Sequence, residues 1–191
     1  AESLKLGIDI TRHSWKTLAS QEPNRYPKEL FTVLESTWVF NTVEWLDHYA
    51  KRDWTLTHMD YELDNVLIDD DGPIVIDWQS PMISHPGVDL AWLLAASHTE
   101  ETLAVEEDFL KLYRDTLSSS GGPSWSLAEL EEALAWGILY PVSCQAVPYL
   151  QDVSAYGEGA ERMHQRFEKF LQGSIDAAVR WNLVDHLQPL I

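Results

Sequence analysis

The chain has 191 residues, 45% of them hydrophobic, with nine Trp, seven Tyr and five Phe, enough apolar surface for one domain-sized core and too aromatic for a disordered chain. Thirteen Lys plus Arg against thirty-one Asp plus Glu leave a net charge of -18, which repels a polyphosphate backbone and argues against nucleic-acid binding. The same field could draw in a cationic ligand, the alternative being a merely soluble acidic surface, and composition alone does not choose a substrate.

Residues 1–29 show no firm period and carry Pro23 and Pro27, so a loop with one short helix around Trp15 to Ser20 is expected. From Glu29 to Lys51, apolar residues including Leu30, Val33, Leu34, Trp38, Val43 and Leu46 recur at helical spacing, the mark of an amphipathic helix expected to pack beneath the site. Trp54 to Thr57 and Val66 to Ile68 read as short β segments, Asp69 to Gly72 as a turn, and Pro73 to Asp77 as the returning strand. The result is a β-hairpin over residues 54–78. Antiparallel pairing brings the residues before its first strand beside those after its second.

After a loop from Gln79 to Gly87, helices are predicted over residues 88–96, 100–117, 127–145 and 160–181. Ser126 to Glu129 fits a capping box, and Ser118 to Pro123 is a helix-helix connection rather than an interdomain linker. The single cysteine, Cys144, lies in an apolar run and reads as a buried, inert thiol. No run approaches the length of a membrane span and no leader-like pattern opens the chain, so a cytoplasmic protein without membrane contact is expected. The fold class implied is mainly α with a small β-hairpin, in a single domain over residues 1–191.

The chemistry concentrates in His58-Met59-Asp60-Tyr61-Glu62-Leu63-Asp64-Asn65, followed twelve positions on by Asp77 in Ile-Val-Ile-Asp-Trp. This spacing suits phosphoryl transfer: Asp60 to accept a hydroxyl proton, Asn65 and Asp77 as hard oxygen donors for Mg2+. Each part alone is common, since His-x-Asp arises by chance and a strand-end Asp is usually a cap or turn former. Three groups at three fixed offsets are far more restrictive.

With those residues, and with His85-Pro86-Gly87-Val88-Asp89-Leu90-Ala91 after them, the sequence resembles the aminoglycoside phosphotransferase superfamily over about residues 54–96. Its members share a kinase-like fold and carry His-Gly-Asp-x-x-x-x-Asn, then Ile-Asp-Trp or Ile-Asp-Phe, then Pro-x-x-Asp-Leu-Ala. The resemblance implies ATP and Mg2+ as cofactors and transfer of the γ-phosphoryl group to the hydroxyl of a small molecule, an antibiotic or a cationic compound among the options. It implies Asp60 as base, Asn65 and Asp77 as metal ligands, His58 as a brace for the loop, and Asp89 as an acceptor of hydrogen bonds from that loop. Without it, Asp89 reads equally as an ordinary helix cap. Leu67 and Ile76 are candidates for the floor under the adenine, or plain core.

The acceptor would lie against the helical region over residues 88–185. Asp152, Glu158 and Glu161 with Trp136, Tyr140, Tyr149 and Tyr156 suit an amine-bearing acceptor, the alternative being core aromatics beside a solvated acidic face. His164 is assigned no role.

Three departures from the family pattern stand out. Met59 occupies the usual Gly position, and Glu62 replaces the Arg of the branch with Asp-Tyr-Arg-Leu-Asp-Asn, with no Lys or Arg expected to take over its charge. No Gly-rich phosphate loop and no strand Lys precede the motif, and Lys5 and Lys16 do not substitute. The chain is therefore expected to be the C-terminal (large) lobe of a protein-kinase-like fold, its N-terminal nucleotide lobe removed by design, proteolysis or gene truncation, with turnover close to nil alone. Two readings remain: an ATP- and Mg2+-dependent small-molecule phosphotransferase, or a non-catalytic stand-alone lobe acting as a binding module.

Overall fold

The computed structural model describes residues 2–39, 54–97 and 99–187. Two helices come first, α1 (Glu2–Gln21) and α2 (Lys28–Val39). Four short strands come next, β1 (Thr55–Thr57), β2 (Val66–Asp69), β3 (Gly72–Val75) and β4 (Met82–Ser84). The remainder is helical: α3 (Gly87–Ala96), α4 (Glu100–Ser119), α5 (Leu127–Tyr149), α6 (Ala160–Arg180) and α7 (Leu183–Leu187). The fold is mainly α with a small β component, as the sequence predicts.

The strands form two separate two-stranded antiparallel sheets, β2 with β3 and β1 with β4. The first is the expected hairpin, in register Val66 to Val75 and Asp69 to Gly72. Its turn is closed by Asp69, whose carboxylate accepts from the Asp71 and Gly72 amides, while Gly72 takes a φ of 122° open to glycine alone. The second sheet departs from the sequence expectation. Trp54 to Thr57 is not a hairpin arm; its strand residues pair with Met82 to Ser84, inside the stretch expected to be loop. Three residues after Pro81 are too few for any alternation to register, and only tertiary pairing makes them a strand.

The core gathers around α3 and α5, which pack on each other and on α6. Leu90, Ala91 and Leu94 of α3 meet Leu130, Leu134, Ile138 and Val142 of α5 and Leu171 and Ile175 of α6 in one buried cluster. The predicted capping box is present, with Ser126 and Glu129 satisfying each other's backbone N–H. The first segment differs from expectation, because α1 is a helix of twenty residues. Among its described side chains Trp15 and Leu18 are buried with Ile8 at the margin, and Trp15 Nε1 donates to Ser143 O at 2.9 Å. The predicted helix from Glu29 is described as far as Val39, and the rest of it lies outside the described residues.

Two glycines set how close α3 and α5 come. A Cβ on Gly137 would stand 1.9 Å from the Gly87 carbonyl oxygen, and one on Gly87 would stand 2.0 Å from that of Ala133. Backbone therefore touches backbone where α3 begins, which fixes the first turn of that helix in space. Asp89 is in that turn. Among the described residues no helix is long and apolar enough to cross a membrane.

Burial pushes the Cys144 thiol up to about 11, against a smaller opposing effect of the Tyr140 hydroxyl bonded to it. Alkylation of Cys144 by iodoacetamide at pH 8 should run about a hundredfold slower than for an unburied cysteine, since the thiolate is scarce, and a rate matching a free thiol would contradict the burial. Gly137→Ala should destabilise the fold by about 1–3 kcal/mol or more, because backbone rather than a flexible side chain must give way; urea denaturation with an unchanged midpoint would refute the close contact.

Candidate active site

The loop between β1 and β2 is built on a buried entry. Thr57 is fully buried and its hydroxyl donates to Met82 O at 2.9 Å, which ties the end of β1 to β4. The next two residues are held by one carboxylate. Asp89 Oδ2 accepts from the His58 amide at 2.7 Å, and Oδ1 accepts from the Met59 amide at 2.9 Å. Charge-assisted bonds of this kind are the stronger class, and without them two amides at a nearly closed site would lack partners.

His58 then spans the site. Its ring is buried, Nε2 donates to Ile76 O at 2.8 Å, and the Trp78 ring meets it edge-on at 4.7 Å. A carbonyl can only accept, so Nε2 carries the proton. The bond joins the start of the loop to the residue before Asp77.

Asn65 makes a second tie. Its Nδ2 donates to Asp60 O at 2.8 Å and lies 3.5 Å from Asp60 Oδ2, while its backbone carbonyl accepts from the Ile76 amide at 2.9 Å. The amide's nitrogen is thus committed to Asp60, which leaves Oδ1 as its acceptor. These bonds join Asn65 to Asp60, and with the β2–β3 pairing they bring Asn65 to Ile76, the residue before Asp77; Asp60 and Asn65 are half-buried and Asp77 is exposed. Asp77 adopts φ 62° and Met59 φ 68°, left-handed values that cost an L residue about 1–2 kcal/mol, less for Asp. Both strained positions flank the candidate base and metal ligands, where such conformers tend to gather.

The donor set suits a hard cation that keeps other ligands of its own. Among the described residues no group of three or more His, Cys, Asp or Glu side chains could hold a metal unaided. One carboxylate and one amide oxygen are what Mg2+ typically takes from a protein when phosphates complete its shell.

Other predicted positions are less concentrated. Leu67 is 52% exposed on the hairpin and Ile76 is half-buried, so neither is plain core. Of the expected acceptor wall, Trp136 is core at 2% exposure and lines no pocket of that kind. Tyr149 is engaged elsewhere, donating to Glu22 and accepting from Arg25 while stacking on His164. Tyr140 packs against Trp92, which also meets Phe170. Asp152 caps the Ser154 amide, and Glu158, Glu161 and Tyr156 are exposed. A cavity of about 390 Å³ bounded by Leu103, Glu106, Leu130, Arg180, Trp181 and His186 contains none of the predicted site residues.

The expectation that no Lys or Arg takes over the charge of the Arg that Glu62 replaces is overturned, since a cation reaches the same loop from elsewhere in the fold. Arg166 of α6 pairs with Glu62 through Nη2, and Arg166 Nη1 lies 3.8 Å from Asp64 Oδ2. No sequence signal points to this, since the partners stand 104 positions apart. Burial holds the Glu62 carboxyl above its ordinary range; Arg166 opposes this, and Asp60 and Asp64 add to it.

A sequence model described as the Phosphotransferase enzyme family (APH) matches residues 8–126, more than half of the chain. No curated protein and no solved structure matches it. Replacing Asp89 by Asn should cost about 2 kcal/mol, the difference between a charge-assisted pair and an amide able to serve only one loop N–H; a urea midpoint within experimental scatter of wild type would show that the loop is held by other means.

Proposed function

The chain belongs to the Phosphotransferase enzyme family, and from that premise we propose that it transfers the γ-phosphoryl group of ATP, with Mg2+, to the hydroxyl of a small molecule. The observation that carries this reading is the tie of Asn65 to Asp60 through its side-chain amide and to Ile76, the residue before Asp77, through the Ile76 N–H.

Asp60 accepts the proton of the acceptor hydroxyl as its oxygen forms the new P–O bond and the bond to the β-phosphate oxygen breaks. Asn65 holds the Asp60 segment with its nitrogen, and its oxygen and the Asp77 carboxylate would be the protein's donors to the metal. When bound there, Mg2+ neutralises charge on the phosphate oxygens. His58 and Asp89 keep both halves in register by binding the Ile76 carbonyl and the loop amides. Positioning is most of what such a reaction needs from a protein.

The described residues ahead of β1 are helical and include no glycine-rich phosphate loop. We take the nucleotide's second clamp to come from a β-rich lobe outside them, with these residues acting as the C-terminal lobe. Exposed apolar side chains on the strands support this, Leu56, Leu67, Ile68, Ile74 and Ile83 each standing between 46% and 76% exposed. The net charge of -18 favours a cationic acceptor.

In the full-length protein, that β-rich lobe included, with Mg2+–ATP and a panel of hydroxyl compounds, Asp60→Ala should lower phosphoryl transfer by about a hundredfold or more while nucleotide binding stays within twofold. Equal transfer by variant and parent would remove Asp60 as the base. Metal-independent nucleotide binding with no transfer to any compound would favour the binding-module reading.

A further inference from the structure

The loop carrying Asp60 is densely acidic, with Asp60, Glu62 and Asp64 within five residues and Asp77 directly after Ile76, whose amide binds the Asn65 carbonyl. A phosphate entering it meets like charge. Arg166 is a cation brought to that loop from a distant element.

Its arrival is a consequence of packing. Phe170, one turn further along α6, meets Trp92, and Trp92 lies one turn beyond Asp89 on α3. The face of α6 that carries Phe170 therefore passes over the end of α3 that grips the loop, and Arg166 shares that face by its four-residue offset. The ion pair is lopsided. The Glu62 side chain is 13% exposed, whereas that of Arg166 is 49% exposed. A symmetric exposed pair would be worth little. Here the carboxylate is packed in and the cation's head remains reachable.

A guanidinium has five N–H donors and stays charged at every working pH. One nitrogen of Arg166 is spent on Glu62, a second leans on Asp64 at 3.8 Å, and Nε is not used by either. We propose that Arg166 is a phosphate-positioning residue: Glu62 fixes its guanidinium at the mouth of the loop, where its remaining donors bind an oxygen of the nucleotide's phosphates. This rests on the phosphotransferase reading above, and it adds a residue outside the motif together with the carboxylate that aims it.

The test is a 31P NMR titration of Mg2+–ATP into the full-length protein with its nucleotide lobe, with thermal melts of every variant. Arg166→Gln should raise the dissociation constant about five- to tenfold and Arg166→Lys about two- to threefold, since Lys keeps the charge without the fork. Glu62→Gln should weaken binding although it removes a negative charge, the opposite of what bulk electrostatics predicts. Lys169→Gln, the same charge change one turn away on an exposed position, should leave binding unaltered. If Arg166→Gln binds as wild type does, or if Lys169→Gln weakens binding equally, the role is wrong while the phosphotransferase reading stands. If the wild-type full-length protein shows no Mg2+-dependent binding at all, that reading fails and this proposal falls with it.

Discussion

The Asp89 carboxylate, with one oxygen on each of two consecutive loop amides, is the interaction on which the rest of the site depends. It converts the position of a helix into the position of a loop. The helix is itself fixed by backbone contact between α3 and α5, through Gly87 and Gly137, so the loop inherits the rigidity of the core. From there His58 reaches Ile76, and Asn65 reaches both Asp60 and Ile76. Helix packing thus passes in three short steps to the groups that would handle a proton and a metal.

Backbone strain fits the same arrangement. Met59 and Asp77 both take left-handed φ values, and each adjoins a residue that hydrogen-bonds across the site. Met59 stands where the resembling family has glycine, yet its side chain is buried at 8% exposure and its amide is bound by Asp89. Burial and that bond offset the conformational cost, so the substitution is accommodated without releasing the loop. Glu62 is accommodated in another way, by a cation from α6.

Much of the site was legible because it is local in sequence. Asp60, Asn65 and Asp77 lie at offsets that one hairpin explains, α4 and α6 show amphipathic periodicity, and α5 opens on a capping box after a Ser/Gly/Pro connection. The features that escaped are of other kinds. Helix α1 is rich in polar residues, so its apolar positions do not stand out as a firm period. The β1–β4 pair joins two three-residue segments whose register lies in tertiary contacts, not in alternation. Trp136 carries the same sequence signal as a pocket aromatic and is core. Arg166 reaches Glu62 only because α6 crosses α3, which no motif encodes.

The central claim is that Asn65 and Asp77 hold the metal beside Asp60. Mn2+ in place of Mg2+, added with ATP to the 15N-labelled chain, tests it directly, because the paramagnetic ion broadens nearby amide signals most strongly. The side-chain amide of Asn65 and the backbone amide of Asp77 should vanish first, at substoichiometric Mn2+. Earlier loss of signals around Glu106, Glu107 and Glu131, with Asn65 and Asp77 still sharp, would contradict the assignment.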